Sequence, residues 1–331
     1  MVKASSYGTG DVKIPHFLQE QGADYLGVAY TDEGATLREN GIIMPILVMN
    51  TETNAYEDII RHELEPSIYS FDQLTNFIEL LEAKQIERYP IHLKFETGMN
   101  RLGFNDSDIS KIMNKINSSA AVEIKSVFSH LANADDADET YSLTQIAKFN
   151  QIKQQIDATA TSPIMYHILN SEGIVKFCQT HVFDMVRFGI GIFGYLNNDK
   201  LSLKPSLKWM TTVAQVKTIK TGETIGYGRA FRATQDMQIA TLRIGYADGF
   251  RRTLSNGRGK VFIKGEFRPV VGNVCMDMTM IDVTGLNVKQ GDPVEIIGTY
   301  ASMQSFANNL SSIPYEVMTS INKRVAKIYI Q

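Results

Sequence analysis

Lysine and arginine side chains suited to acid–base and anion chemistry stand close to glycines in this chain. Lys3 begins the segment KASSYGTG, in which two glycines let the backbone approach a ligand. Arg101 follows Gly98 in HLKFETGMNRLGF, and its planar guanidinium suits a carboxylate. A lysine at position three is usually a solvated terminal charge, and Arg101 is equally expected to pair with Glu96. These two segments alone therefore leave catalysis and structure as alternatives.

Further candidate residues follow apolar runs. Gly189 and Gly191 come directly after Arg187, and backbone amides of this kind suit a phosphate group. His130 and His167 stand at or near the ends of two runs. A lone histidine is more often a satisfied core residue, but two at strand ends are equally consistent with a site. In IGYGRAF, IGYADG and VGNVCMDM, tyrosines and a cysteine accompany glycines, although packing is the commoner role of tyrosine.

Residues 1–200 alternate short apolar runs with amphipathic stretches, which is typical of parallel strands joined by helices. Seven runs and a short N-terminal stub give the strand count of a TIM-like (β/α)8 barrel, with an open doubly wound sheet as the alternative. Ser70 and Gln73 suit a capping box before one helix. In such a barrel, reactive groups lie at the strand C-termini, and the last two loops often bind phosphate. The predicted strands are Met1–Lys3, Tyr25–Ala29, Ile46–Met49, Glu65–Tyr69, Ile91–Phe95, Val122–Ser129, Ile164–Leu169 and Met185–Phe188.

Residues 201–331 predict a second, mainly antiparallel β domain. Turn signals such as Lys264–Gly265 separate its apolar runs, and helical stretches start near Ser302 and Tyr315. The predicted strands are Leu207–Lys217, Met237–Ile244, Lys260–Ile263, Val270–Val274, Met280–Val283 and Pro293–Ile297.

The composition of the chain argues against several classes of protein. The 331 residues carry 33 Lys and Arg against 36 Asp and Glu, so the net charge of −3 provides no basic field for nucleic acid. The longest strongly apolar run, Ile42–Met49, is far shorter than the roughly 20 residues that span a bilayer, so no membrane partner is predicted. Cys178 and Cys275 are too few for a disulfide framework and too far apart for a zinc pair. We therefore predict a cytoplasmic protein without a metal site.

Seven motifs, in chain order, resemble those of the alanine racemase family. They are VKASSYGTG, HLKFETGMNRLGF, VRFGIGIFGY, IGYGRAF, IGYADG, VGNVCMDM and SIPYEV. The resemblance implies an α/β barrel with a C-terminal β domain, and an activity that interconverts L- and D-alanine and supplies D-alanine for peptidoglycan. GATLRENGI and PILVMN are most similar to the racemase half of bacterial fusions with a UDP-N-acetylmuramoyl-peptide ligase, which raises a fused upstream ligase domain as a partner.

The resemblance also implies pyridoxal 5′-phosphate as the cofactor. Lys3 would form a Schiff base with it, which needs a neutral amine, and would exchange the substrate proton on the D-alanine face. Tyr227 of a partner subunit would do so on the L-alanine face, because racemisation needs a proton exchanger on each face. Arg187 would contact the pyridine nitrogen and His167 would orient Arg187. The other implied contacts are His130, which also bonds Tyr227, and the phosphate-binding group Tyr7, Ser171, Gly189, Ile190 and Tyr315.

For the substrate carboxylate, the resemblance implies Arg101 and the backbone amide of Met276, the latter across a homodimer with shared active sites. Lys94 matches a lysine that is carbamylated in some members. Family chains normally carry a longer segment before the Schiff-base lysine, so we expect a truncated first strand and a poorly stable, weakly active chain. Asn273 stands where some members have an arginine. Because the motifs do not define the side-chain pocket, a racemase for serine or another amino acid, a non-catalytic carrier of the cofactor and a decarboxylase stay alternatives.

Overall fold

The computed structural model describes residues 1–196, 201 and 203–330, which fall into two units. The barrel unit comprises Met1–Ser6 and Asp11–Lys204, and the C-terminal unit comprises Tyr7–Gly10 and Pro205–Gln331. Residue 200, where we predict the first domain to end, lies outside the described residues. The predicted boundary between residues 200 and 201 therefore stays a prediction.

The barrel unit contains a curled six-stranded parallel sheet in which each strand pairs with the next along the chain. Most residues of its short strands are buried, because helices cover one side and the barrel interior lies on the other. Six of the predicted strands are thereby confirmed. They are β1 Leu26–Val28, β2 Ile46–Val48, β3 Glu65–Ile68, β4 Tyr89–Lys94, β5 Val122–Phe128 and β6 Met165–His167.

Helices connect these strands, and the one over Phe71–Ala83 shows why they form. Its apolar residues recur at helical spacing and are buried in the same core as the strands. The Ser70 hydroxyl accepts from the Gln73 amide at 3.3 Å, and the Gln73 side chain accepts from the Tyr69 amide at 3.0 Å. None of the helices in the described residues is both long and apolar enough to cross a membrane. The barrel-unit helices are Lys13–Glu20, Thr31–Glu39, Tyr56–Arg61, Phe71–Ala83, Ile109–Asn117, Thr140–Asp157 and Ser171–Phe177.

Two predicted barrel strands, Met1–Lys3 and Met185–Phe188, are wrong as regular strands. The backbone turns left-handed directly after Lys3, with φ of 52° at Ala4, so the extended run ends too early to form a ladder. After the second segment, Gly189 leaves the β region with φ −117° and ψ −105°.

Single backbone hydrogen bonds nevertheless place both segments beside the sheet. The Arg187 amide donates to the carbonyl of Leu169, just beyond β6, at 3.0 Å. The N-terminal amino group donates to the Phe188 carbonyl at 2.9 Å, and the Val2 amide donates to the Gly27 carbonyl in β1 at 2.8 Å. These bonds connect the last strand of the sheet back to the first through two irregular segments.

The C-terminal unit holds a six-stranded antiparallel sheet and a separate two-stranded one. The long strand β7, Trp209–Ile219, pairs with β10 on one side and β14 on the other. Lys264 and Gly265 both have positive φ and form the predicted turn, which joins β11 and β12 as a hairpin. The other elements are β8 Thr224–Ile225, β9 Phe231–Arg232, β10 Met237–Leu242, β11 Lys260–Ile263, β12 Glu266–Pro269, β13 Thr279–Asp282, β14 Pro293–Ile297 and the helices Met303–Asn309 and Pro314–Ser320.

The predicted strand at Val270–Val274 is wrong. Val270 forms only an isolated antiparallel bridge with Ile281. Gly272 has φ of 69°, which ends any extended run, and a Cβ atom there would lie 3.0 Å from the carbonyl oxygen of Ile225. A close backbone approach therefore replaces the strand.

Phe77 provides a test of the barrel core. It is fully buried, and its ring centroid lies 4.8 Å from that of Tyr56 and 5.4 Å from that of Tyr89. Phe77→Ala leaves a cavity and is expected to lower the free energy of unfolding by about 3–5 kcal/mol. The control Phe17→Ala removes a ring that is 55% exposed and should change it by less than about 0.5 kcal/mol. Equal losses of unfolding free energy in the two variants, measured by urea denaturation, would contradict the placement of Phe77 in the core.

Candidate active site

The residues after Lys3 adopt a left-handed turn. Ala4, Ser5, Ser6 and Tyr7 have φ values between 50° and 56°. Each such residue costs roughly 1–2 kcal/mol because its Cβ atom crowds the backbone. Strain of this kind concentrates at functional sites, where the surrounding structure must compensate for it.

Glu33 supplies part of that compensation. One carboxylate oxygen accepts from the Ala4 amide at 2.6 Å, and the other accepts from the amides of Ala29 at 2.6 Å and Tyr30 at 3.2 Å. Glu33 thus ties the left-handed turn to the start of the helix Thr31–Glu39. The sequence alone does not single out Glu33, because an acid in a first helical turn is common.

The Lys3 side chain is exposed, yet its surroundings disfavour the ammonium form. Partial desolvation lowers the pKa of Lys3 most, the positive charge of Arg101 lowers it further, and Glu33 opposes both. A lysine in this state offers a larger fraction of neutral amine than a free surface lysine. It is therefore a suitable nucleophile for a carbonyl group.

Lys94 and Arg101 extend this positive region. Lys94 ends β4 and is buried, with its Nζ atom 5.9 Å from the ring centroid of Phe128. Burial, and then the charges of Arg101 and Arg187, lower its pKa to about 8. The Glu96 carboxylate accepts from the Arg101 amide at 3.3 Å, while the described ion pairs include none between these two side chains. The Arg101 guanidinium is therefore available to an anion from outside the chain.

Arg187 is buried, and a ring of acceptors surrounds its guanidinium. It donates to the carbonyl of Ser129, to those of His167 and Ile168 at 3.2 Å each, and to the Nδ1 atom of His130 at 3.1 Å. It also donates to the Nδ1 atom of His167. The structure thus brings Arg187, His130 and His167 together.

The charges of this group follow from burial. Burial lowers the pKa of Arg187 to about 9, which leaves it charged at neutral pH. Burial and the charge of Arg187 lower the pKa of both His130 and His167 well below the usual range. Both rings are therefore neutral, and each can accept a hydrogen bond from Arg187.

Gly189 and Gly191, which the sequence predicts to bind a phosphate group, lie next to Ser171. The Ser171 hydroxyl is buried and accepts from the amides of Gly189 at 2.9 Å and Gly191 at 3.4 Å. Ile190, between these glycines, is buried as well. The Ser171 hydroxyl and the amides of Gly189 and Gly191 therefore lie within hydrogen-bond distance at the start of the helix Ser171–Phe177.

Tyr227 lies in the C-terminal unit, in a tight turn, and is 75% exposed. Gly226 and Gly228, on either side, have φ of 74° and 67°. The Asn273 side chain donates to the Tyr227 carbonyl at 3.0 Å and accepts from the Asn256 side chain at 3.1 Å. Asn273 thus holds the backbone of Tyr227 in place. No local sequence pattern points to this contact.

Met276 lies in the same unit and is 53% exposed. The Ala247 amide donates to its carbonyl, and the Tyr246 amide donates to that of Cys275, both at 3.0 Å. A Cβ atom at Gly245 would lie 2.3 Å from both carbonyl oxygens, so only glycine fits there. The IGYADG and VGNVCMDM segments therefore position each other.

Tyr7 and Tyr315 also lie together in the C-terminal unit, with ring centroids 6.0 Å apart. Burial, and then Tyr315, raise the pKa of Tyr7, so its hydroxyl keeps its proton. The predicted site residues therefore form two groups. The barrel unit holds Lys3, Arg101, His130, His167, Ser171, Arg187, Gly189 and Ile190, and the C-terminal unit holds Tyr7, Tyr227, Met276 and Tyr315.

The chain combines an α/β barrel unit, which carries Lys3 with a lowered pKa and the buried Arg187, with a C-terminal β unit. Family models agree with this division: the alanine racemase N-terminal domain matches residues 1–197, and the C-terminal domain matches residues 206–329. The alanine racemase of Clostridium kluyveri is 37% identical, over all of this chain and 87% of that relative. The alanine racemase of Methanococcus maripaludis is 36% identical, over 100% of this chain and 91% of that relative.

Solved structures agree with the sequences. The alanine racemase of Clostridium difficile 630 matches with a TM-score of 0.91 and 33% identity, over 98% of this chain and 86% of that one. The Bartonella henselae alanine racemase with covalently bound pyridoxal phosphate matches with a TM-score of 0.89 and 31% identity, over 99% of this chain and 91% of that one. The predicted fold class is thereby confirmed. This chain belongs to the alanine racemase family and is an isomerase.

The lowered pKa of Lys94 predicts a pH-dependent stability difference. In the folded chain this pKa is about 8, against an ordinary value of 10.5, so between these values the unfolded chain binds more protons. Lys94→Met should therefore be more stable than the wild type at low pH, by at most about 3 kcal/mol from this source, and lose the advantage as pH rises. Urea denaturation across this range measures the difference. A difference independent of pH would contradict the lowered pKa.

Proposed function

We propose that this chain interconverts L-alanine and D-alanine, with pyridoxal 5′-phosphate as its cofactor. The observation that carries the proposal is the accessible Lys3 with a lowered pKa, beside the positive Arg101. An amine of this kind suits covalent attachment of the cofactor, and the guanidinium suits the substrate carboxylate. The product D-alanine would serve peptidoglycan synthesis. A cytoplasmic location is part of the proposal, and the two free cysteines, Cys178 and Cys275, are consistent with it.

The donors near Ser171 fit the phosphate of this cofactor. A phosphate oxygen accepts from hydroxyl and backbone amide groups, and the Ser171 hydroxyl lies among such amides. We propose that Ser171 and the amides of Gly189 and Ile190 bind the phosphate from the barrel unit. Tyr7 and Tyr315 would add hydroxyl donors from the C-terminal unit.

Arg187 would face the ring nitrogen of the cofactor. Its guanidinium is charged, and His167, His130 and backbone carbonyls hold it in one orientation. When bound, the cofactor withdraws electrons from the substrate α-carbon, which makes its proton removable. A permanent cation at the ring nitrogen keeps that nitrogen unprotonated, which limits this withdrawal and suppresses side reactions such as transamination.

Two residues would exchange the α-proton, one on each face of the substrate. We assign the Lys3 amine to the D-alanine face and the Tyr227 hydroxyl to the L-alanine face. Neutral His130 accepts from Arg187 through Nδ1, so its Nε2 carries the proton and would donate a hydrogen bond to the Tyr227 oxygen. Arg101 and the Met276 amide would bind the substrate carboxylate and keep the α-carbon between the two groups.

A homodimer would complete each site. Tyr227 and Met276 are exposed in the single chain although both belong to motifs of the family. We propose that each C-terminal unit supplies these residues to the partner subunit. Such a dimer uses the same pair of surfaces twice and therefore closes.

Incubation with L-alanine in heavy water tests the activity. The chain with its cofactor is expected to form D-alanine and to place deuterium at the α-carbon, because the two exchange groups equilibrate with solvent. A parallel incubation with L-serine tests the alternative substrate. A carrier of the cofactor would exchange no α-proton, and a decarboxylase would release carbon dioxide. Absence of α-deuterium from every amino acid tried would refute the racemase.

Mixing two inactive variants tests the shared site. Lys3→Ala and Tyr227→Phe should each abolish racemisation, while Tyr227→Phe should still exchange the α-proton of D-alanine through Lys3. After subunit exchange, one site of each mixed dimer holds both intact residues, so up to about half of the normal activity per dimer should return. No recovery despite demonstrated exchange would mean that both residues act from one subunit.

A further inference from the structure

A continuous row of polar side chains crosses the interior of the barrel unit and ends at Arg187. Glu65, His92, Ser126 and His167 lie on the neighbouring strands β3, β4, β5 and β6. The distance from Glu65 Oε2 to His92 Nε2 is 2.7 Å. Those from Ser126 Oγ to His92 Nδ1 and His167 Nε2 are 2.6 Å and 2.8 Å. His92, Ser126 and His167 are 0% exposed, so water does not interrupt the row.

The two ends of the row give its hydrogen bonds a single direction. A guanidinium only donates, so His167 Nδ1 must accept from Arg187. Because the His167 ring is neutral, its one proton lies on Nε2 and is donated to Ser126. The hydroxyl proton of Ser126 then goes to His92 Nδ1. His92 Nε2 finally donates its proton to the carboxylate of Glu65.

A second proton on His92 would leave a buried group unsatisfied. If His92 carried a proton on both nitrogens, the Ser126 oxygen would accept from two rings. Its own hydrogen would then have no acceptor among its contacts, which is costly in a dry interior. Glu65 terminates the row as an acceptor, and the Tyr25 hydroxyl also donates to its carboxylate. The edge of the Tyr25 ring lies against His92, with centroids 5.8 Å apart.

We propose that Glu65 is a positioning residue for Arg187. Through the row it fixes the proton of His167 on Nε2, which leaves Nδ1 to accept from the guanidinium and hold it in one orientation. The inference rests on the proposed function, because the role of Arg187 toward the cofactor belongs to that proposal. The inference adds to the proposed function the carboxylate of Glu65, which is linked to Arg187 through four hydrogen bonds. Glu65 lies on β3, a strand that contributes no residue to the predicted site.

Two serine variants form a matched pair for the test. Ser126→Ala removes the link between the two histidines. Ser67→Ala removes a hydroxyl from the neighbouring strand β3, beside His92, where the side chain is 0% exposed and its oxygen has no hydrogen-bond partner among the described residues. Both variants delete one buried oxygen atom from the barrel interior, but only the first interrupts the row.

Nitrogen NMR of the histidine-labelled holoenzyme shows which ring nitrogen of each histidine carries the proton. The chain has only six histidines, so the signals can be assigned. In the wild type, His167 should show a protonated Nε2 and a bare Nδ1. Ser126→Ala should shift the His167 signals and lower kcat roughly tenfold, the effect of one buried hydrogen bond, with a smaller change in KM. Ser67→Ala should change neither. If the two variants give the same His167 signals and the same kcat, the row does not position Arg187.

Two variants of Glu65 then test the carboxylate end. Glu65→Gln keeps an oxygen that accepts from His92 and should retain most of the wild-type His167 signal and kcat. Glu65→Leu removes the acceptor and should reproduce the effect of Ser126→Ala. A wild-type His167 signal in Glu65→Leu would overturn the role of Glu65. If that variant does not fold, the two serine variants still decide whether the row positions Arg187. An inactive wild type with the expected signals would refute the proposed function and not the row.

Discussion

The N–H groups of a guanidinium that is buried inside a barrel need hydrogen-bond acceptors there. Arg187 imposes this requirement on the barrel unit around it. Desolvating an ion costs several kcal/mol, which only well-placed acceptors offset. The carbonyls that do so belong to Ser129 and Ile168, directly after β5 and β6, and to His167, the last residue of β6. The described ion pairs give Arg187 no carboxylate. The carbonyl and imidazole dipoles around the guanidinium stabilise its charge.

Positive charge accumulates around this point in a way that stability alone would not favour. After burial, the charge of Arg101 helps to lower the pKa of Lys3, and the charges of Arg101, Arg187 and Lys3 help to lower the pKa of Lys94. Like charges in one region destabilise a folded chain unless an anion joins them. The left-handed turn after Lys3 adds conformational strain at the same place. Both features are expected where a protein binds anionic ligands.

The parts of the fold that the sequence predicts are those with local signals. The strands around Ile46 and Val122, the helix after Ser70 and the turn at Lys264–Gly265 follow from periodicity, capping and glycine placement. The motifs also locate the lysine and arginines of the site. The left-handed turn was not predictable, because alanine and serine carry no preference for that conformation.

Contacts between distant residues were equally hidden from sequence reasoning. Glu33 supports the backbone of Ala4 across 29 positions, and Glu65 meets His92 across 27. In a single sequence such residues look like an ordinary helix-start acid and an ordinary strand start. Their roles arise only when the sheet brings the strands together, since pairing depends on the whole arrangement of the chain.

Tyr7–Gly10 belongs to the C-terminal unit although the rest of that unit begins at Pro205, so this unit is complete only when distant parts of the chain have met. The Thr9 carbonyl accepts from the hydroxyl of Tyr329, 320 positions later, and the backbone of Met318 leaves no space for a side chain at Gly8. This contact closes a loop of 320 positions, and the conformational entropy of closing so long a loop is lost before the contact forms, which makes its formation slow. Cutting the chain between its two units would likewise leave the C-terminal unit without one of its own segments.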